Sequence, residues 1–492
     1  MENMKTERRY EKTQKNSGTG GVRFQSSDSL ESRLFAEAEK KSLLNLKDFA
    51  GRKVLIEGGG YEKIWLETQP MGGEMYAKRD MEAALNNQLL FMECQREDGR
   101  IPGSIAMIDG KITPQFNKFQ GFCFPEPALN MYYLAGQDRE YLDQLCETLC
   151  RFDEYLWKTR DSDGDGCLET WCKYDTGEDH AMRYMDAPDA WEEEVPPQGC
   201  QAVPIASMDV MSYSYSCRAV TAEICRIRGR EDESQKWTKR AGEVLAKMKD
   251  YLWDEGKGAY YDRDRNHRVM PVLTHNNLRC MYWGSITPAM ADRFVKEHLL
   301  NQGEFWTKMP LPSVAVNDPL FRNITTNNWS GQAEALTYQR AIRALEKYGY
   351  YTLIPVLGRK LFEAIGEKCV FVQQYDPFTG VPSAVSLEGE QDAYGPAMLS
   401  VLEYISRMHG VHVEREEVFW GSFGGESTEY EQIWRGDSYR ILCNGKTAEG
   451  FLNGRKVFEA PAGSRIITDY SGKLVRAEKY DETVDVREVR QF

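Results

Sequence analysis

The sequence predicts a mainly α-helical fold: a toroid of paired helices, then a small antiparallel β domain, with short strands near the N-terminus. Three observations predict it. Long stretches carry apolar residues at helical spacing. Several of these helices stop at a glycine and restart within a few residues. After about residue 412 the helical period gives way to short β-forming runs separated by glycine turns.

In chain order, MENMKTERRYEKTQKNSGTGGVRF is polar and has no apolar core that would mark a secretory leader, so residues 1–30 are expected to be a disordered lead-in. A helix and two short strands, in RKVLIEGG and KIWLETQP, are expected over 31–70. Helical patterns fill 71–412, beginning with YAKRDMEAALNNQLLFMECQR. In PIASMDVMSYSYSCRAVTAEICRIRG, Met208, Met211, Tyr215, Ala219 and Ala222 form one stripe, and Ala335, Tyr338, Ile342 and Leu345 form another. Gly136, Gly229 and Gly349 sit where helices stop, and fit the left-handed position after a helix end. FDEYLWKTRDSDGDG and MKDYLWDEGKGAYYD close two of the resulting hairpins, a weak repeat with a period near 95 residues. Helix pairs with long loops leaving at one end predict a site on one face. Residues 413–492 read as an antiparallel β domain with a packing role, NGR at 453–455 marking a hairpin.

Composition narrows the function. A net charge of −14 repels nucleic acid and anionic membranes, so neither is expected as a partner. No apolar run approaches the roughly 20 residues of a membrane span. The 12 cysteines contain no CxxC pair, although Cys146 and Cys150 lie one helical turn apart; buried reduced thiols in a cytoplasmic protein are expected. Aromatic residues are 12% of the chain, enough to line a pocket as well as fill a core.

KYDTGEDHAMRY places Asp175, Glu178, Asp179 and Arg183 within nine residues. Such a cluster is a solvated turn, a metal site or an acid catalyst. Just upstream, Asp161, Asp163 and Asp165 alternate with Gly164 and Gly166 like the first half of a calcium loop. The twelfth position is Cys172 instead of Glu, so the loop reads either as a Ca2+ site completed by Glu169 or as a plain Asx/Gly turn.

TRDSDGDGCLE, YDTGEDHAMR, SMDVMSYSY, NNWSG and QQYDPFTG, in that order, resemble the catalytic domain of glycoside hydrolase family 63 and its relatives, the family 37 trehalases and bacterial mannosylglycerate hydrolases, over roughly residues 70–410. The resemblance implies an (α/α)6 barrel, a funnel-shaped pocket and an inverting, exo-acting hydrolysis of a small α-linked glycoside, with no cofactor required. It places the general acid at Asp179. Asp175 and Glu178, as nearby like charges, would raise the Asp179 pKa, and Arg183 would oppose that shift or bind a sugar hydroxyl. Arg79 and Asp80 would contact the terminal sugar. Trp65, Trp171, Trp191 and Trp329 are candidate stacking faces, and Glu67, Gln69 and Glu74 candidate wall residues. Asp209 either binds substrate or caps its helix. Each tryptophan also reads as core.

One position departs from the family. Gln373 stands where the resemblance puts the general base, and an amide cannot deprotonate water. The base has moved to Glu388 or Glu390 (Asp376 and Asp392 being weaker candidates), or the chain is an inactive sugar-binding protein, or phosphate replaces water as in an inverting phosphorylase. An epimerase on a similar barrel needs paired histidines, and the six here are scattered.

Overall fold

The computed structural model describes residues 21–383 and 391–492. These residues contain twelve α-helices: α1 Ser29–Ser42, α2 Gln69–Tyr76, α3 Met81–Glu93, α4 Pro125–Leu134, α5 Arg139–Thr159, α6 Met208–Ile227, α7 Glu231–Tyr251, α8 Asn276–Trp283, α9 Pro288–Phe294, α10 Ala335–Lys347, α11 Leu353–Ile365 and α12 Gly395–His409.

The even-numbered helices pack in succession, α2 on α4, α4 on α6, α6 on α8, α8 on α10 and α10 on α12, and α12 returns to α2. Around them α3 packs on α2, α5 on α4 and α6, α7 on α6, α11 on α10 and α12, and α1 on α12. Burial separates the two layers. Every residue of α2, α8 and α12 is buried. In α7 only Ser234, Ala241, Val244 and Met248 are, a stripe facing inward beneath a charged outer surface. The single stripe expected for α6 is therefore too narrow: Ser212, Ser214, Ser216 and Thr221 are buried with the apolar residues, because an inner helix has neighbours on all sides. Gly136, Gly229 and Gly349 all have positive φ and turn inner helices α4, α6 and α10 back toward their outer partners.

From Val411 the chain forms two antiparallel sheets. One has four strands: Val411–Glu414, Glu417–Ser422, Ser464–Thr468 and Leu474–Lys479. The other has Ser427–Trp434, Asp437–Asn444, Thr447–Leu452, Arg455–Pro461 and Arg490–Gln491, with Gly21–Ser26 added at its edge against Ser427–Trp434. Between the sheets Trp420 meets Phe458 at 5.3 Å and Tyr439 at 5.8 Å. The turn at Asn453–Gly454 has positive φ at both residues, as a two-residue hairpin requires. Residues 21–30, assigned to the lead-in for their polarity, instead form this edge strand and the start of α1, whose N-cap Asp28 accepts the Leu30 amide at 2.8 Å.

The β sheets lie against the C-terminal ends of the inner helices, where buried ion pairs such as Lys78–Glu403 (2.8 Å) and Arg343–Glu74 (3.2 Å) meet His412 and Glu414. The N-terminal ends of the inner helices are left to carry the site.

Candidate active site

The loop after α5 is built around one buried ion pair. Arg160 donates to Asp175 Oδ2 at 2.7 Å, with its guanidinium 4.1 Å from the Trp171 ring centroid and 4.2 Å from that of Phe119. Asp175 also accepts the amides of Trp171 (2.9 Å) and Phe119 (3.0 Å) and is fully buried. Burial works against its ionisation, but Arg160 and these amides hold its carboxyl below the usual range. Asp175 is thus the hub that shapes the loop, and Trp171 is core, donating to Glu169 at 2.7 Å. Trp171 is therefore not placed as a stacking face, and Asp175, expected to raise the Asp179 pKa and to lie in the substrate site, spends its charge on Arg160.

At Gly177 the chain takes a left-handed turn (φ 72°), and a Cβ there would lie 2.2 Å from Glu67 Oε2. Both facts demand glycine. Gly177→Ala is expected to displace Glu67 and the following Asp179, lowering kcat/KM at least 10-fold while the melting temperature falls by only a few degrees; unchanged kinetics would disprove the packing of Glu67 on this turn.

Asp179 follows directly and is half-buried. Asn327 Nδ2 donates to its Oδ2 at 2.9 Å and Gln120 Nε2 to its Oδ1 at 3.2 Å, while its backbone carbonyl accepts the Trp329 amide at 3.0 Å. Burial pushes its pKa up; the two amides, Lys118 and His180 oppose the shift. The cause is burial, not the charges of Asp175 and Glu178. Asn327 Nδ2 also reaches Tyr61 Oη at 3.2 Å; Tyr61 donates to Gln373 Oε1 at 2.9 Å, and Gln373 Nε2 returns to Asn327 Oδ1 at 3.1 Å. A single asparagine therefore spans Asp179 and Gln373, which share one site.

Beneath them lies a dense floor of charge. Arg183 pairs with Glu178 and Asp262, away from Asp179, and stacks on Tyr184 at 4.6 Å. Burial disfavours the ionised Glu178, yet Arg183 and Arg279 outweigh it and keep its pKa low. Asp209 pairs with Arg279 (3.5 Å) and accepts from Asn276; Ser207 is the residue that caps α6. Burial pushes Asp209 up. Glu67 accepts Arg340 at 2.9 Å, and its pKa is raised by burial to about 7 against the pull of Arg340 and Arg279. Trp329 packs beside His275 (5.6 Å) and Arg279 (5.2 Å), and its indole N–H has no partner among the described residues. Glu334 and Glu57, both raised well above the usual range by burial, complete the set. These groups come from the loops that lead into the inner helices and from the N-terminal halves of those helices.

Other expected residues lie elsewhere. Arg79 is buried against Glu39 (2.6 Å), and Asp80 caps α3 and pairs with Lys53 (3.0 Å); both sit past the C-terminal end of α2, opposite the site. Glu74 lies at that same end, paired with Arg343. Asp376 accepts Asn323 Nδ2 (2.7 Å) and the amides of its own turn, and Asp392 pairs with Lys41 and accepts two amides, so neither is free to act as a base. Glu388 and Glu390 lie outside the described residues.

The aspartate-rich loop is tied together by its own backbone amides. Asp161, Asp163 and Asp165 each accept a backbone amide of the loop itself, Glu169 is engaged by Ser162 and Trp171, and Cys172 is buried. Asp163 and Asp165 converge on His267, whose Nδ1 is already 2.9 Å from Tyr251 Oη.

Sequence reasoning did not single out Glu57, Tyr61, Lys118, Gln120 or Glu334. Asn327 lay within the quoted NNWSG motif without a role. Their common signal is position in a loop that leads into an inner helix, which is visible only once the inner helices are known.

A family model for the mannosylglycerate hydrolase MGH1-like glycoside hydrolase domain matches residues 65–393. Among solved structures, the family 63 mannosylglycerate hydrolase of Thermus thermophilus in complex with glucose is 16% identical, with 75% of this chain and 99% of that one covered and a TM-score of 0.59. A neutral trehalase from Saccharomyces cerevisiae is 14% identical, covering 75% and 80%, with a TM-score of 0.54. A protein described as a sialidase is 12% identical, covering 91% of this chain and 41% of that one, with a TM-score of 0.67. At these identities the structural likeness speaks for the fold.

Proposed function

We infer, since this chain belongs to the mannosylglycerate hydrolase MGH1-like glycoside hydrolase family, that it is an exo-acting, inverting glycosidase on a small α-linked glycoside, with Asp179 as general acid. The ring of six inner helices inside an outer layer supports an (α/α)6 barrel as its scaffold. One observation carries the assignment: Asp179 is a half-buried carboxyl with its pKa raised, held by two amides at the mouth of a polar site. A glycosidic oxygen leaves poorly until protonated, and a carboxyl that keeps its proton toward neutral pH supplies that proton. Its conjugate base is then stabilised by the Asn327 and Gln120 amides.

Two lysines mark the leaving-group side. Lys63 and Lys118 lie 5.1 and 5.3 Å from the Trp65 ring centroid, Lys118 also 4.8 Å from that of Tyr174, and neither forms an ion pair among the described residues. The mannosylglycerate hydrolase relative makes an acidic leaving group the first to try. Among the described residues no helix is long and apolar enough to cross a membrane, and every cysteine is free, which supports a reducing, cytoplasmic setting.

The test is incubation with mannosylglycerate and a panel of α-linked disaccharides, with the first-formed anomer resolved by NMR. The β-anomer is expected; prompt release of the α-anomer would overturn the inverting mechanism. Gln373 favours one rival, a phosphorylase, which would cleave the glycoside only when inorganic phosphate is supplied and would release the glycosyl unit as its β-phosphate.

A further inference from the structure

We propose that Glu57 is the general base of this site, in place of residue 373. The inference rests on the inverting-glycosidase reading and supplies the group that reading lacks.

The geometry removes the alternatives in turn. The Gln373 amide is engaged at both ends, by Tyr61 and by Asn327, and carries no basic lone pair for a proton. Glu67 is ion-paired with Arg340 and lodged against Gly177, on the same turn that delivers the acid. The water that the base activates must attack from the face opposite the acid. Glu334 is fully buried and accepts Gln374 Nε2 at 2.8 Å; it pairs across the strand with Gln374, whose side chain points to the opposite side of the ribbon from Gln373.

Glu57 differs in each respect. It is buried (7% exposed) like the others, but no lysine or arginine pairs with it among the described residues. One oxygen accepts Tyr394 Oη at 3.1 Å. The Tyr394 ring lies 6.3 Å from that of Tyr61, whose hydroxyl holds Gln373, so Glu57 belongs to the wall around residue 373 and not to the Asp179 turn. Its loop is fixed. Gly58, Gly59 and Gly60 all have positive φ; a Cβ on Gly58 would meet Asn45 at 2.2 Å and one on Gly59 would meet Tyr394 at 2.9 Å. Burial first, then the charges of Glu67 and Asp179, push its carboxyl up while Arg340 opposes the shift, so Glu57 takes the proton of the water only once it has ionised, and activity should fall on the acidic side as it protonates.

In the step proposed, a water oxygen attacks the anomeric carbon and its proton passes to Glu57. The bond from that carbon to the leaving oxygen breaks with its electron pair, and the leaving oxygen takes the proton of Asp179.

α-Glycosyl fluorides separate the two roles, because fluoride departs without a proton while the water still needs a base. With α-D-mannosyl and α-D-glucosyl fluoride, Glu57→Gln is expected to lose about 10²–10⁴-fold in kcat, while Asp179→Asn stays within about 10-fold of wild type. Glu57→Ala should regain turnover in sodium azide, giving the β-glycosyl azide, since azide attacks without losing a proton; a merely structural role would show no rescue. Gln373→Glu should not raise activity. Near-wild-type fluoride hydrolysis by Glu57→Gln, a collapse confined to Glu67→Gln or Glu334→Gln, or an increase of orders of magnitude in Gln373→Glu would overturn the proposal. Loss of fluoride turnover in Asp179→Asn would instead strike the acid assignment and leave Glu57 standing.

Discussion

Asp179→Asn is expected to reduce hydrolysis of an unactivated α-glycoside by about 10²–10⁴-fold, the usual share of general acid catalysis. Binding should survive, because the asparagine Oδ1 still accepts from Asn327 Nδ2, and a flipped Gln120 amide accepts from its Nδ2. The pH dependence supplies a second readout. A raised folded-state pKa means that Asp179 stays protonated, and able to donate, to higher pH than an exposed aspartate. Activity should therefore fall on the alkaline side as pH rises through that pKa, and this limb of the kcat profile should vanish in the variant. Wild-type turnover of a natural substrate by Asp179→Asn would end the assignment.

The sequence shows the architecture more clearly than the site. Gly136, Gly229 and Gly349 disclosed the helix pairs because a left-handed turn after a helix is a local requirement that one residue type meets. The strands beyond residue 417 were legible for the same local reason. The edge strand Gly21–Ser26 was not, since its stability comes from pairing with Ser427–Trp434, some four hundred residues away. Within the site, Asp179 and Gln373 were found through motif order, and the structure brings them to one asparagine. The errors share a cause. Arg79, Asp80, Asp175 and Arg183 are charged residues beside motifs, and sequence alone does not tell a carboxylate aimed at substrate from one spent on a buried arginine. Conversely Glu57 follows an ordinary strand, and its bond from Tyr394 exists only after α2 and α12 have packed together.

The largest stability effect is expected at Asp175. Removing one partner of a buried ion pair strands the other charge, and such losses run to about 3–5 kcal/mol. Arg160 has no exit: it is 1% exposed and sandwiched between Phe119 and Trp171. Asp175→Ala also orphans the amides of Trp171 and Phe119 and so frees the turn that carries Asp179. Activity should fall along with stability, although Asp175 touches no substrate. The sign of the pH effect follows from the depressed folded-state pKa. The pair's contribution is present above the unfolded aspartate value of about 3.9, and it is lost as pH falls below that toward the folded value. Wild-type protein should thus lose stability on acidification in a range where Asp175→Asn loses less. A double change, Arg160→Met with Asp175→Asn, removes both charges and should recover much of the loss, measured as the shift in urea midpoint. If Asp175→Ala alone costs less than about 1 kcal/mol, the scale of an exposed pair, then the Arg160–Asp175 contact is not the hub of this loop.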